Sequence, residues 1–138
     1  MLTATIQYII LALGESRVNT GGDRLNSTEV ARLVVDIASD KLAENIVMLD
    51  LRRVASFADY FVIMNADSSR QIEALEEDIS QALKDVQVRP FHREGAAASG
   101  WVLLDFSDVI IHILASEQRE FYQLERLWYR APEVVRVL

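Results

Sequence analysis

The 138-residue sequence predicts a single α/β domain whose elements follow the order helix, two strands, helix, three strands, helix. Two kinds of pattern support this prediction. Some segments repeat apolar residues at helical spacing, whereas others are short apolar runs or alternate with a period of two, as strands do. Hydrophobic residues make up 51% of the chain, which is enough for one domain of this length to bury a core. We therefore expect a sheet of about five strands with helices packed on it.

The first helix is predicted to begin at Asn26. Asn26 and Glu29 have the spacing of a capping pair at a helix N-terminus. The apolar residues that follow at helical intervals are Val30, Leu33, Val34 and Ile37. Two compact apolar runs come next, at residues 46–51 and 60–64, and such runs are typical of strands that are buried on both faces.

The second helix is predicted to begin after Ser68. Ser68 and Gln71 fit a capping box, in which the serine accepts from a backbone amide and the glutamine side chain reaches back to the cap. The apolar stripe of this helix consists of Ile72, Leu75, Ile79, Ala82, Leu83 and Val86. A short strand around residues 88–92 and a loop at residues 95–100 then lead to the next element.

The stretch from Trp101 to His112 predicts a β-hairpin with a two-residue turn at Ser107-Asp108. One face of this hairpin would be wholly apolar and could lie on a core. The other face carries Trp101, Leu103 and Asp105, and the turn would place Leu114, His112 and Ile110 opposite them in that order. This second face is expected to be a recognition surface; the alternative is that Trp101 is half-buried under a helix.

The last helix is predicted to start near Ser116. It would carry four side chains inward, and Phe121, Leu124 and Trp128 lie at positions i, i+3 and i+7; the fourth is Leu127. Pro132 should end the helix, because proline cannot continue it comfortably. The predicted pattern ends there.

Residues 1–26 differ from the rest of the chain. An apolar run at residues 6–13 is followed by a polar stretch that contains glycine. The run is too short to span a bilayer and no basic residue precedes it, so a membrane helix and a signal peptide are both disfavoured. We favour a poorly ordered extension or a start codon placed too far upstream over a short docking helix. The folded domain is expected at residues 27–138.

Charge and cysteine content narrow the function class. The net charge of −7 disfavours a protein that binds nucleic acid by neutralising phosphates, and favours a basic protein as the partner. The absence of cysteine excludes disulfides and thiolate metal sites, and it fits the reducing cytoplasm.

No catalytic, cofactor or metal site is predicted. The two histidines lie far apart in sequence, and there is no glycine-rich phosphate loop, nucleophile elbow or cysteine. Asp105 and Asp108 would lie on either side of the hairpin turn and face opposite ways, so they do not form a metal clamp. Arg70 could hold a phosphate in the first turn of the second helix, but an ion pair with Asp50 or Asp59 is favoured.

Five ordered segments of this chain resemble the ribosomal silencing factor family, RsfS or Iojap. They are Asp50-Leu-Arg, residues 56–63, residues 68–71, the hairpin of residues 101–112 and residues 120–128. The resemblance covers about residues 27–132. The chain departs from the family at two turns, where Ala66-Asp67 and Ser107-Asp108 replace pairs that commonly contain glycine.

The resemblance implies a translation regulator that is not an enzyme. Members of this family bind the large ribosomal subunit through its basic protein uL-fourteen and block joining of the small subunit when nutrients are scarce. The resemblance also implies a cytoplasmic protein that is a homodimer when free, and a mixed sheet similar to the nucleotidyltransferase fold but without that superfamily's catalytic motifs. The alternatives are a factor in large-subunit biogenesis, a generic dimeric interaction module and, least favoured, a nucleotidyltransferase-like enzyme.

The predicted partner-binding surface is centred on the hairpin. Trp101 and Leu103 would supply apolar contact area, and Asp105 would face a cation of the ribosomal protein. Tyr60 and Arg70 are secondary candidates for the same surface.

Overall fold

The computed structural model describes residues 25–138. The predictions made for the N-terminal extension fall almost entirely on residues 1–24, which lie outside the described residues. Within residues 25–138, no helix combines the length and the apolar character that crossing a membrane would require.

The described chain forms four helices and six strands. In chain order they are α1 (Ser27–Asp40), β1 (Glu44–Asp50), β2 (Tyr60–Ala66), α2 (Ser69–Asp85), β3 (His92–Ala96), β4 (Trp101–Asp105), β5 (Val109–Ala115), α3 (Ser116–Tyr122), α4 (Leu124–Leu127) and β6 (Glu133–Val137). A 3₁₀ turn, Ala97–Ser99, connects β3 to β4.

All six strands belong to one open mixed sheet in the order β3-β4-β5-β2-β1-β6. The central neighbours β2 and β5 are parallel, and every other adjacent pair is antiparallel. The predicted α/β class with a mixed sheet is confirmed, with one strand more than expected. The extra strand is β6, which pairs with β1 at the edge of the sheet. Pro132 directly precedes β6 and does not prevent the pairing of β6 with β1. Its carbonyl accepts a hydrogen bond of 2.9 Å from the backbone amide of Asp50.

The helix caps follow the sequence closely. Asn26 and Glu29 form the full capping box at α1, with reciprocal bonds of 2.8 and 3.0 Å. At α2, the Ser68 hydroxyl accepts from the Gln71 amide at 3.0 Å as predicted. The Gln71 side chain, however, accepts from the backbone amide of Asp67 and not from that of Ser68. The second half of that capping box therefore lies one residue earlier than expected.

The predicted hairpin register is confirmed. Trp101 lies opposite Leu114, Leu103 opposite His112 and Asp105 opposite Ile110. The two faces of the hairpin accordingly belong to two different cores.

The first core lies between the sheet and the pair α1 and α2. It takes Val102 and Leu104 of β4, and Ile111 and Ile113 of β5. The second core lies on the opposite face of the sheet, under α3, α4 and the loop at residues 51–58. Both faces of the central strands are therefore buried, which explains why their sequences are nearly continuous apolar runs.

The last predicted helix is broken in two at Gln123. The backbone of Gln123 is left-handed, with φ of +46°, and it ends α3 and starts α4. Because the break falls between Phe121 and Leu124, the two residues do not share one helix face. Leu124 is buried and Trp128 is half-buried, but Phe121 is 80% exposed. The prediction that Phe121 packs inward is wrong for this reason. The prediction that Leu127 packs inward is also wrong, because Leu127 is 52% exposed.

Candidate docking surface

The hairpin face predicted for recognition is buried. Trp101 is 2% exposed, Leu103 is buried and Asp105 is completely buried. The reason is that α3 folds back over this face, so that the ring of Tyr122 packs on the indole of Trp101 with 4.9 Å between ring centroids. The expectation that these three side chains form a solvent-facing surface is therefore corrected.

Burial of the polar side chains on this face is made possible by local partners. The indole Nε1 of Trp101 donates to Nδ1 of His112 at 3.1 Å. A carboxylate oxygen of Asp105 accepts from the backbone amide of Ser107 at 2.7 Å and so stabilises the hairpin turn. Burial lowers the pKa of His112 to about 3, assisted by the positive charge of Arg119. His112 is therefore neutral at physiological pH.

Tyr60 and Arg70 do not lie on the Trp101 face. Tyr60 is buried in the first core, and its hydroxyl forms a 2.8 Å hydrogen bond with the hydroxyl of Thr28 in α1. Arg70 is exposed in the first turn of α2, which follows the other end of β2. The structure therefore does not bring the five predicted residues together, and their contact with a partner stays a prediction.

The ion pair expected for Arg70 is also replaced by other contacts. Asp50 holds Arg52 through two hydrogen bonds of 3.0 and 2.8 Å, and this contact lowers the pKa of Asp50. Asp59 accepts a 2.6 Å hydrogen bond from the hydroxyl of Ser27. Both carboxylates lie at the end of the sheet where β2 starts, whereas Arg70 follows its far end, so an ion pair between them cannot form.

Sequence reasoning missed an apolar surface at α3, α4 and the turn that follows. We call it the α3–α4 patch and define it by five residues, of which the first three are exposed and the last two half-buried: Phe121, Leu127, Tyr129, Tyr122 and Trp128. Leu127 is 52% exposed and Tyr129 is 74% exposed. A signal was present in the sequence, because residues 121–129 contain more large apolar side chains than one face of a short helix can bury.

The patch rests on an ordered support. Trp128 packs edge-on against Phe57 and Phe61, with 5.5 Å between ring centroids in each case. The Phe121 and Tyr122 rings meet edge to face at 4.9 Å. These contacts hold the half-buried aromatics in fixed positions, so the exposed ones are presented on a rigid base.

Arg119 ties the patch to the sheet. It is 6% exposed, and its guanidinium donates to Glu125 at 2.6 Å, to the carbonyl of Asn45 at 2.8 Å and to the side chain of Asn65 at 2.7 Å. Burial lowers the pKa of Arg119, and the charge of Glu125 opposes that shift. The network joins α3 to α4, β1 and β2, and it accounts for the presence of a charged residue inside this layer.

The described residues hold no group of three or more histidine, cysteine or acidic side chains placed to bind a metal ion. The arrangement on this side of the molecule is instead an apolar surface with charged side chains around it, which is typical of a protein interface.

The chain is similar to proteins of one family. The model of the family described as ribosomal silencing factor during starvation matches residues 24–137. A Halalkalibacterium halodurans protein named ribosomal silencing factor RsfS is 31% identical over 110 residues, covering 80% of this chain and 94% of that protein. A Mus musculus protein named mitochondrial assembly of ribosomal large subunit protein 1 is 29% identical, covering 83% of this chain and 52% of that protein. A crystal structure of a Chromobacterium violaceum protein superposes with a TM-score of 0.72 at 29% identity, covering 75% of this chain and 87% of the other.

Proposed function

This chain belongs to the RsfS family of ribosomal silencing factors, as the resemblance predicted, and on that premise we propose that it binds the large ribosomal subunit and blocks joining of the small subunit. The contact is proposed to be with ribosomal protein uL-fourteen, a basic protein at the face where the subunits meet. Bound there, the protein would occupy space that the small subunit needs, and so repress translation under nutrient limitation. No reaction is needed for this function, and the proposed site of action is the cytoplasm.

The observation that carries this proposal is the α3–α4 patch. Exposed aromatic and aliphatic side chains on a rigid base can supply the desolvated contact area on which protein–protein affinity depends. The net charge of −7 supports a basic protein partner, because the opposite charge of such a partner speeds the encounter. Bare RNA phosphates carry the same sign of charge as this protein, which disfavours docking on them.

The residues first predicted for docking enter this proposal in a changed role. Trp101, Leu103 and Asp105 would act from beneath the surface, with Trp101 holding Tyr122 in position and Asp105 holding the hairpin turn. Arg70 is exposed and remains a separate candidate for direct contact. Tyr60 would act through α1, to which its hydroxyl is bonded.

The experiment that tests the proposal is co-sedimentation of the purified protein with isolated large subunits in a sucrose gradient, followed by addition of small subunits. We expect the protein to travel with the large subunit and to lower the yield of joined ribosomes without any nucleotide. Joining that proceeds unchanged at saturating protein would contradict the proposal. The Asp105→Asn variant tests the expectation that Asp105 has no catalytic role. It should change the stability of the hairpin turn or the affinity for large subunits, and it should abolish no reaction.

A second candidate function is large-subunit assembly, which the name of the mouse relative favours. The two functions predict different outcomes in cells that lack the protein. Loss of an assembly factor should leave incomplete large subunits during growth, whereas loss of a silencing factor should leave normal subunits and excess translation under starvation. We also propose that the free protein is a homodimer, which light scattering at several concentrations would test.

A further inference from the structure

A small pocket lies where α3 meets the start of β4. It is open to solvent, has a volume of about 240 Å³ and is lined by Glu117, Gln118, Phe121 and Tyr122. We call this pocket the α3 notch. It continues the α3–α4 patch at the edge where the charged first turn of α3 meets the two aromatic rings.

The base of the notch is held by backbone and ring contacts. Gln118 lies against Gly100, because a Cβ atom added at Gly100 would come within 2.6 Å of the Gln118 side-chain oxygen. Tyr122 packs on the indole of Trp101. The notch is therefore shaped by the close approach of α3 to Gly100 and to Trp101, the first residue of β4.

The side chains that line the notch favour a cation. Glu117 contributes an exposed carboxylate, and no cationic side chain of residues 25–138 forms an ion pair with it. Phe121, which is 80% exposed, contributes an aromatic ring whose faces attract positive charge, and the ring of Tyr122 supports it edge to face. The neighbouring cation of α3, Arg119, cannot fill the notch because it is buried and bonded to Glu125, Asn45 and Asn65.

We propose that the α3 notch binds an arginine side chain of a basic protein partner. A guanidinium is planar and carries several donors, so it can stack on a ring while it donates to the Glu117 carboxylate and the Gln118 amide oxygen. A lysine would place a compact ammonium there and use fewer of these groups at once. The inference rests on the proposed function for the identity of the partner, but the chemistry of the notch can be measured without ribosomes.

The first test uses the full chain and two short blocked peptides, glycine-arginine-glycine and its citrulline counterpart, which has nearly the same shape without the charge. Perturbation of the Tyr122 and Phe121 resonances is followed by NMR during titration. We expect the arginine peptide to bind in the millimolar range and about fivefold or more tightly than the citrulline peptide. Glu117→Gln should abolish the difference, whereas Glu77→Gln, at an exposed position of α2, should retain it. Equal binding of the two peptides, or no response at these rings, would overturn the proposal.

The second test measures affinity for isolated large subunits at several salt concentrations. Glu117→Gln should weaken binding about tenfold and reduce its salt dependence, because one charge pair is lost. Phe121→Ala should weaken binding to a similar degree with the salt dependence unchanged. If both variants bind subunits as the parent does, the notch takes no arginine of the large subunit, and the proposal fails even though the proposed function stands. If the parent itself does not bind subunits, the proposed function fails, and the peptide titration still decides on the notch.

Discussion

The indole Nε1 of Trp101 donates a hydrogen bond of 3.1 Å to Nδ1 of His112, its diagonal neighbour across the hairpin of β4 and β5. Since Nδ1 accepts this bond, the proton of the neutral imidazole lies on Nε2. The two most polar rings of the second core thus satisfy each other in part, which allows a face that looks suited to recognition to lie inside the protein. Several expectations for variants depend on this arrangement.

Trp101→Ala should destabilise the fold and not merely release a partner. The indole is almost fully buried and supports Tyr122, so removing it leaves a large cavity beneath α3. We expect a loss of about 3–5 kcal/mol in the free energy of unfolding, measured with urea. Phe121→Ala is the matched control because Phe121 is exposed, and it should change the stability by no more than about 0.5 kcal/mol. If the Trp101→Ala protein unfolds at the same urea concentration as the parent, Trp101 is not part of the core and lies at the surface.

His112 should make the fold sensitive to acid. Its pKa is lowered to about 3 by burial, from a usual value near 6.5, so the unfolded chain binds a proton that the folded chain excludes. The free energy of unfolding should therefore fall as the pH falls from 6.5, by up to about 1.4 kcal/mol per pH unit from this group. Between pH 6.5 and 5, before most carboxylates titrate, His112→Gln should flatten the dependence. An unchanged slope in that variant would assign the acid sensitivity to other groups.

The α3–α4 patch can be tested by making it polar without disturbing the core. The double variant Phe121→Ser, Leu127→Ser changes two exposed side chains, so its melting temperature should stay near that of the parent. Its affinity for large subunits should fall by about thirtyfold or more, as expected for the loss of an apolar hot spot. Leu42→Ser and Leu138→Ser alter exposed apolar side chains elsewhere and should bind normally. Equal losses in all of these variants would indicate nonspecific adhesion.

Two glycines with positive φ should differ in their tolerance of alanine. At Gly95 a Cβ atom would come within 2.2 Å of the backbone carbonyl oxygen of Trp101, which cannot move without distorting the β3–β4 pair. At Gly100 the obstacle is the flexible end of the Gln118 side chain. We expect Gly95→Ala to cost about 2–4 kcal/mol and Gly100→Ala about 1–2 kcal/mol, most of the latter from backbone strain. Gln118→Ala should rescue little of the Gly100→Ala loss in a double-variant urea experiment.

Local features of this fold could be predicted from the sequence because short-range geometry produces them. A side-chain oxygen three residues ahead of a free backbone amide sets the cap at Asn26 and Ser68. Period-two alternation around a short turn gave the correct pairing of Trp101 with Leu114. Each of these depends on residues close together in the chain, and in this respect the prediction needed no knowledge of the rest of the molecule.

The sixth strand and the broken helix could not be predicted in this way. β6 is short, and its Val135 and Val137 pack on the first core, but it is a strand only because the edge of β1 is available to pair with it. The break at Gln123 follows Arg119 by about one helical turn. Arg119 donates hydrogen bonds to Asn45 and Asn65, which are 74 and 54 residues away in sequence. Long-range contacts of this kind outweigh helix propensity.

By itself, the sequence determined the α/β class, the family, the caps and the hairpin register of this protein. Only the tertiary structure decided that neither face of the hairpin reaches solvent. Alternation shows that two faces differ, but it does not show what covers each face. Here α3 covers a face on which Trp101 donates to Nδ1 of His112 and Asp105 accepts from the backbone amide of Ser107. Because α3 covers the Trp101 face, the exposed apolar surface lies one layer further out than predicted, at Phe121, Leu127 and Tyr129.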